Sequence, residues 1–129
     1  MTIINKDLID SLLKKAKESP RLRMNYDLRN SEDDTSQRML NALMPNTIVP
    51  IHRHPKTSET VVVLCGEIDE IMFDNDGNES KRIHIDVQNG CYGINIPIGQ
   101  WHTIKVYKPT VILEVKDGKF YPTDTKDIL

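Results

Sequence analysis

Three histidines and one glutamate are spaced along this chain in a way that strongly restricts its fold. His52 and His54 are two residues apart, Glu59 follows shortly after them, and His102 lies much further along. Residues two apart on a β-strand point to the same face, so both imidazoles of the pair can enter one interior while Arg53 faces away. Three imidazoles and one carboxylate suit a divalent transition ion. The spacing therefore predicts a metal site inside a β structure.

The residues between these groups indicate turns and returning strands. We expect Glu59 to begin a strand that Gly66 ends, because glycine readily adopts the positive φ of a tight turn. The segment 97–99, with the sequence Pro-Ile-Gly, predicts a second turn, after which His102 opens another strand. Two hairpins from opposite sides of a small barrel would bring all four side chains to one point.

The region from about residue 37 to 116 has a β pattern throughout. The segment 74–78, Asp-Asn-Asp-Gly-Asn, predicts a hairpin turn. Eight short strands at regular spacing favour a small jelly-roll β-barrel. They are predicted at 39–44, 47–51, 59–64, 67–73, 81–87, 92–96, 102–107 and 111–116.

The N-terminal residues predict an α-helix over 3–18. Apolar residues recur there at three- and four-residue spacing, Asn5 can cap the first turn and Pro20 stops the helix. Its apolar stripe packs on the outer face of the barrel or against a second subunit. We expect a single domain: the N-terminal helix at 1–20, the barrel with its entry segment at 21–118, and a C-terminal tail at 119–129. The tail is expected to pack its aromatic residues and then fray.

The two complete patterns resemble the sequence motifs of the cupin superfamily. They read H-x-H-x4-E-x6-G over residues 52–66 and P-x-G-x2-H over residues 97–102. The resemblance implies a cupin-like jelly-roll fold, mainly β. Asn46 replaces the opening glycine of the first motif, Cys91 replaces that of the second, and Val106 replaces its final asparagine. None of the three is a ligand position, so these departures concern turn detail more than metal binding.

A narrower resemblance covers about residues 21–122 and is to the WbuC family of cupin-fold metalloproteins. It is carried by the residues of segments 34–42, 113–118 and 120–122. Members occur in bacterial gene clusters for surface polysaccharides. The resemblance implies a one-domain metal-binding protein associated with sugar metabolism, and it brings no defined reaction.

Arginines near the predicted entry segment are candidates for binding a substrate. Arg38 is the first choice and Arg23 the second, because a guanidinium group can hold a carboxylate or phosphate bidentately. A solvated loop is the alternative for residues 21–36, which include Tyr26, a further candidate. Trp101 either closes the end of the barrel or stacks on a sugar ring.

Three other residues have both a structural and a functional interpretation. His84 is a structural or surface residue, or else a general base at the pocket. Cys65 and Cys91 are predicted to be small apolar fillers on strands. The alternative for Cys65 is a thiol near the metal, since its even spacing from Glu59 would place both side chains on one face of a strand.

Composition and charge argue against partners such as nucleic acids and membranes. The 17 basic and 19 acidic side chains give a formal net charge of −2, which does not suggest a nucleic-acid partner. The apolar runs are too short to span a membrane, and the N-terminus lacks the pattern of a signal peptide. Two cysteines fit a reducing compartment, so we expect a cytoplasmic protein. A homodimer is expected as well.

We expect one divalent ion per chain, Zn, Fe, Ni or Mn, and a small-molecule ligand such as a sugar or a carboxylate. Three functions remain open: an isomerase, epimerase or lyase that uses the ion as a Lewis acid on a sugar or nucleotide sugar; a non-haem Fe(II) dioxygenase; and a protein that binds its ligand without turnover. A purely stabilising ion is a fourth possibility. At most Glu59 or His84 would be the catalytic base.

Overall fold

A computed structural model describes residues 1–129 of the chain. It contains one α-helix, α1 (Lys6–Glu18), and two short 3-10 helices, of which the second spans Thr125–Asp127. The strands are β1 (Arg23–Asp27), β2 (Gln37–Leu43), β3 (Glu59–Cys65), β4 (Glu67–Phe73), β5 (Glu79–Asp86), β6 (Gly93–Ile96), β7 (Trp101–Val106) and β8 (Thr110–Lys116). The helix is too short and too polar to cross a membrane.

The strands form two antiparallel sheets. One sheet has five strands in the order β1-β2-β8-β3-β6, and the other has three in the order β5-β4-β7. The predicted mainly β fold with an N-terminal helix is confirmed, although the strands are divided between two sheets and do not close into one barrel. The main core lies between the sheets, where residues from both interdigitate: Leu43, Val61, Val63, Ile68, Met72, Ile85, Ile96, Val106 and Ile112.

Helix α1 packs on the outer face of the five-stranded sheet. Asn5 caps its first turn by accepting a hydrogen bond from the backbone N–H of Leu8 (3.0 Å), as the sequence predicts. Leu12 and Ala16 are buried against Leu40 and residues of β8. Burying one such aliphatic side chain stabilises the fold by about 1.5–3 kcal/mol. The apolar stripe is therefore covered within the chain.

Two predicted segments differ from the structure. Residues 23–27, within the stretch for which a loop is the alternative, form β1, which pairs with β2. Met24 and Tyr26 turn toward the helix, and Arg23 and Asn25 turn toward the space between the sheets. Residues 47–51, predicted as a strand, belong to no strand. Pro50 lacks a backbone N–H, so it cannot donate to a ladder there.

The turn glycines of the motif behave as expected. Gly66 has φ of 102°, and a Cβ atom there would collide with Thr110. Asn46, which stands where the first motif usually begins with glycine, adopts φ of 73°. Asparagine tolerates this left-handed region better than most residues, so the departure from the motif preserves the turn.

The C-terminal tail does not fray as predicted. Ile128 forms an antiparallel bridge with His52, and the backbone N–H of Leu129 donates to the carbonyl of Ile51 (2.8 Å). Asp127 is 3% exposed. The end of the chain is thus part of the fold, next to the predicted metal ligands.

Candidate metal centre and ligand cavity

The structure brings the four predicted ligands together between the two sheets. His52 and His54 lie in the segment before β3, Glu59 is the first residue of β3, and His102 is the second residue of β7. Ligand nitrogens of the three histidines lie within 4.8 Å of one another. An ion about 2.0–2.1 Å from each nitrogen, as in zinc sites, can contact all three after small rotations of the rings.

Backbone hydrogen bonds fix the two ligand segments against each other. The N–H of His52 donates to the carbonyl of His102 (3.0 Å), and the N–H of His102 donates to the carbonyl of His52 (2.9 Å). Gly99, with φ of 77°, donates its N–H to the carbonyl of His54 (2.9 Å). The turn and the strand that follows it therefore hold the loop that carries the first two histidines.

The C-terminal segment holds the same loop from its other side. Arg53 donates its backbone N–H to the carbonyl of Asp127 (3.0 Å), and its Nε donates to the Asp127 carboxylate (2.8 Å). Because Arg53 lies between His52 and His54, this pair fixes the backbone from which both imidazoles project.

Main-chain carbonyls determine which imidazole nitrogens are free. Nδ1 of His52 lies 2.8 Å from the carbonyl oxygen of Pro50, and Nδ1 of His102 lies 2.8 Å from that of Gln100. A carbonyl only accepts, so each Nδ1 carries a hydrogen, and in the neutral ring the Nε2 then keeps a lone pair. Burial, together with the neighbouring His102, lowers the pKa of His52 to about 4. The ring of His52 is thus a neutral donor for a metal.

The carboxylate of Glu59 lies against two of these rings without a hydrogen bond. Its Oε2 is 3.1 Å from Nε2 of His54 and 3.4 Å from Nε2 of His102, yet this buried oxygen has no hydrogen-bond partner. Burial would raise the pKa of Glu59, but His102, His54 and Lys116 together hold it below its usual range. When the His102 ring is neutral, the lone pair of its Nε2 faces the Glu59 carboxylate, and a cation would satisfy both. The donor set fits a divalent ion.

A cavity of about 330 Å³ opens beside this cluster. The inward faces of both sheets line it, and its walls are unusually polar for a space between sheets. The polar and charged residues around it, besides the four candidate ligands, are Arg21, Arg23, Asn25, Asn41, Glu70, Glu114, Lys116 and Thr123.

All four buried side-chain polar atoms that lack a hydrogen-bond partner belong to residues lining this cavity. They are Arg23 Nε, Asn41 Oδ1, Glu59 Oε2 and Glu70 Oε2. Most buried polar groups in folded proteins are hydrogen-bonded, so each exception calls for an explanation. Their concentration at one place indicates a cavity built for polar ligands.

Two carboxyl groups at the cavity, those of Glu70 and Glu114, were not predicted from the sequence. Burial raises the pKa of both, and the charge of Glu59 adds to the effect. Glu114 retains some surface because it faces the cavity. The signal was the strand alternation: Glu70 shares a face with Ile68 and Met72, which are core residues. A charged residue at an inward position of a strand marks a polar site.

One of the two predicted substrate-binding arginines lines the cavity. This residue is Arg23, on β1. Arg38 lies on the opposite face of β2, where it contacts Asp34 (3.1 Å) and donates to the carbonyls of Ser36 and Leu28. Its guanidinium group thus holds the 28–36 segment in place and is not among the groups around the cavity.

The two predicted aromatic residues also lie away from the cavity. Tyr26 packs with the helix side of the sheet. Trp101 is 7% exposed, donates its Nε1–H to Asn75 (3.2 Å) and lies under the guanidinium of Arg53, 4.5 Å from its ring centroid. Trp101 is therefore a buried packing residue and is not among the groups around the cavity.

His84 and Cys65 have outward positions. His84 lies on the outer face of the three-stranded sheet, bonded to Asp69 and Glu67, and does not line the cavity. The strand register shifts between Val63 and Cys65, so the even spacing from Glu59 no longer places both side chains on one face. Cys65 packs on the helix side instead, and a thiol near the metal position is excluded.

Several solved structures have a fold similar to that of this chain. The capsular polysaccharide assembling protein CapF from Staphylococcus aureus matches with a TM-score of 0.68 and 18% identity, over 86% of this chain and 32% of that one. Oxalate decarboxylase from Lactobacillus farciminis, in a formate complex, matches with a TM-score of 0.56 and 21% identity, over 67% of this chain and 25% of that one. Oxalate decarboxylase from Bacillus subtilis, a protein with Mn(II) centres, matches with a TM-score of 0.60 and 20% identity, over 77% of this chain and 26% of that one.

These similarities show a cupin fold, and the geometry of this chain adds a histidine-rich site that could hold a metal. The chain spans between a quarter and a third of the length of those three proteins. The chain belongs to the family described as "Domain of unknown function (DUF6016)", whose model matches residues 4–85. No curated protein matches it in sequence.

Proposed function

We propose that this protein binds one divalent transition metal ion through His52, His54, His102 and Glu59, and acts on a small polar ligand in the adjoining cavity. The observation that carries the proposal is the unpartnered Glu59 oxygen beside two Nε2 atoms, with the Nδ1 atom of His102 occupied by a carbonyl. Leaving a buried charged group unsatisfied costs several kcal/mol unless a counter-charge is supplied. A bound cation supplies it.

The reaction class we propose is isomerisation, epimerisation or elimination on a sugar or nucleotide sugar. When bound, the ion would act as a Lewis acid that polarises a carbonyl or hydroxyl oxygen of the ligand. The chain itself contributes the four ligands and a cavity whose polar groups orient the ligand. The cavity lies between the two sheets, and the partial exclusion of water there strengthens electrostatic contacts.

The biological setting we propose is bacterial surface-polysaccharide metabolism. The resemblance to the WbuC family supports it, as does the similar fold of a protein that assembles capsular polysaccharide. Because identity to that protein is 18%, the similarity shows the fold, and the setting remains our proposal.

The test is metal analysis joined to an assay. Protein purified without added metal is expected to contain about one Zn, Ni or Mn ion per chain, and to convert at least one compound of a sugar and nucleotide-sugar panel. Chelation should abolish turnover, and restoring the ion should recover it. Iron content with O2 uptake would replace the proposal with a dioxygenase, and ligand binding without product would replace it with a binding protein. Absence of any metal would refute it.

A further inference from the structure

We infer that the cavity recognises a small polyhydroxylated carboxylate, an acidic monosaccharide, through Arg23, Asn41 and Glu70. This choice rests on the metal-dependent function proposed above and narrows its substrate class. A metal ion would satisfy Glu59 but not the other three unpartnered atoms, which belong to these three residues. They belong to both walls of the cavity, because β1 and β2 lie in one sheet and β4 lies in the other.

The unpartnered atoms consist of complementary donors and acceptors. Arg23 Nε is a donor in a guanidinium group, which can hold a carboxylate bidentately. Asn41 donates its amide N–H to Glu114 (3.1 Å), and this contact leaves its Oδ1 as an acceptor for a ligand hydroxyl. Glu70 is 3% exposed and its Oε2 has no partner within the protein.

The charges around the cavity favour an anion. Three cationic side chains, those of Arg21, Arg23 and Lys116, line the cavity together with three carboxyl groups, those of Glu59, Glu70 and Glu114. Burial raises the pKa of Glu70 well above its usual range, which favours the protonated form, and this form can donate a hydrogen bond to a ligand oxygen. A divalent ion would add two more positive charges. The sum calls for a negative ligand.

The size of the cavity favours a monosaccharide over a nucleotide sugar. About 330 Å³ lies at the small end of the range of about 300–1,000 Å³ usual for ligand pockets. A second depression of about 290 Å³ adjoins it near His54 and Lys116, and its rim carries Lys56, Lys119 and Lys126. A polyphosphate chain would have to occupy that second space, which makes the nucleotide sugar the natural competitor in a test.

The polar contacts predict a definite order of affinities. The ligand carboxylate would lie on Arg23, one of its hydroxyls would donate to Asn41, and Glu70 would donate to another oxygen. A neutral hexose keeps the hydroxyl contacts but loses the ion pair. A hydrogen bond to a charged group contributes about 1.5–3 kcal/mol, which corresponds to about 10- to 100-fold in affinity.

Isothermal titration of the metal-loaded, full-length protein tests this order. The probes are D-gluconate, D-glucuronate, D-glucose, glucose 6-phosphate and UDP-glucose. We expect at least one of the two acids to bind about 10-fold or more tightly than glucose, and more tightly than the two phosphorylated compounds. Equal binding of glucose, preference for glucose 6-phosphate or UDP-glucose, or no binding of either acid would overturn the inference.

Variants separate this inference from the metal site. Arg23→Gln is expected to weaken binding of the preferred acid about 10-fold or more, and Arg23→Lys by less, with metal content and melting temperature unchanged. Arg82→Gln is the control, because it removes an arginine from the outer face of the three-stranded sheet, where Arg82 pairs with Glu79 (2.8 Å). It should have no effect on the affinity for the acid. Normal metal content with an unaffected Arg23→Gln overturns the inference alone. Wild-type protein that contains no bound metal when purified without added metal would instead overturn the proposed function.

Discussion

Two clusters of potential metal ligands in this molecule, each of which contains histidine, offer similar groups to a cation but differ in the hydrogen bonds that these groups already make. One is the interior cluster of His52, His54, His102 and Glu59. The other is the outer-face cluster of Glu67, Asp69, His84 and Asp86, on the exposed face of the three-stranded sheet. In both, three potential ligand atoms lie within 4.8 Å of one another.

In the outer-face cluster, a protonated His84 ring satisfies the neighbouring carboxylates. Nδ1 of His84 lies 2.6 Å from Asp69, and its Nε2 lies 3.0 Å from Glu67, so both nitrogens face carboxylates. The hydrogen bond with Asp69 raises the pKa of His84, with smaller contributions from the charges of Asp69 and Glu67. Asp86 already accepts from the backbone of Gln88 and the side chain of Asn89.

The interior cluster is arranged differently. Carbonyl oxygens occupy Nδ1 of His52 and of His102, burial keeps His52 neutral, and an oxygen of Glu59 has no hydrogen-bond partner. The comparison shows that proximity of ligand types is a weak criterion for a metal site. The two clusters differ in the hydrogen bonds that they already make, and not in the distances between their ligand atoms.

The largest expected effect comes from removing an interior ligand. His102→Ala should abolish stoichiometric metal binding, a loss beyond the roughly 10- to 100-fold caused by changes in outer-shell partners. His84→Ala is the matched control and should retain the wild-type metal content. Elemental analysis after dialysis measures both. If His84→Ala lost the ion and His102→Ala kept it, the roles we assign to the two clusters would be reversed.

Metal removal should lower stability through the interior cluster only. With free ion at about 100 times its dissociation constant, binding stabilises the folded state by about 2.7 kcal/mol, or roughly 10 °C in melting temperature for a domain of this size. Calorimetry with and without chelator should show this difference in the wild type and in His84→Ala. His102→Ala should show none. An equal shift in all three proteins would place the ion elsewhere.

A smaller effect is expected when the support of the interior cluster is removed. Asp127→Ala deletes the carboxylate that pairs with Arg53 and should cost about 1–3 kcal/mol in unfolding free energy. Metal affinity should fall as well, because His52 and His54 flank Arg53. Urea unfolding and metal titration are the measurements. Asp76→Ala, in the exposed 74–78 turn, is the control, and matching values for the two variants would contradict this role.

The smallest expected effect is a pH dependence of the outer-face cluster. Because its pKa is raised in the folded state, His84 contributes stability that is fully present below its unfolded pKa, about 6.5, and is lost as the pH rises through the folded value. The stability difference between wild type and His84→Gln should therefore shrink between pH 6 and pH 9. Chelated samples should be used, so that metal binding does not contribute. A difference that grows with pH would contradict this assignment.

The meeting of the four candidate ligands could be predicted because the information is local. The spacing of His52 and His54, the turn before His102 and the strand that begins at Glu59 each depend on a few neighbouring residues. The helix and its Asn5 cap were predicted for the same reason.

The face of a strand could not be predicted where both faces are covered. Arg38 and Arg23 lie in adjacent strands, but Arg38 shares a face with Leu40, which packs toward the helix, and Arg23 faces the cavity. Alternation separates two faces without saying which one is the cavity. The bulge before Cys65 and the docking of the C-terminal residues on His52 depend on contacts between segments distant in the sequence.

Anomalous diffraction from crystals of the metal-loaded protein, recorded at the absorption edge of the bound element, tests the central claim most directly. We expect a single strong peak within coordination distance of a ring nitrogen of His52, His54 and His102 and of a Glu59 oxygen, and none beside His84. A peak at the outer-face cluster alone, or none between the sheets in protein shown to contain the ion, would contradict the account.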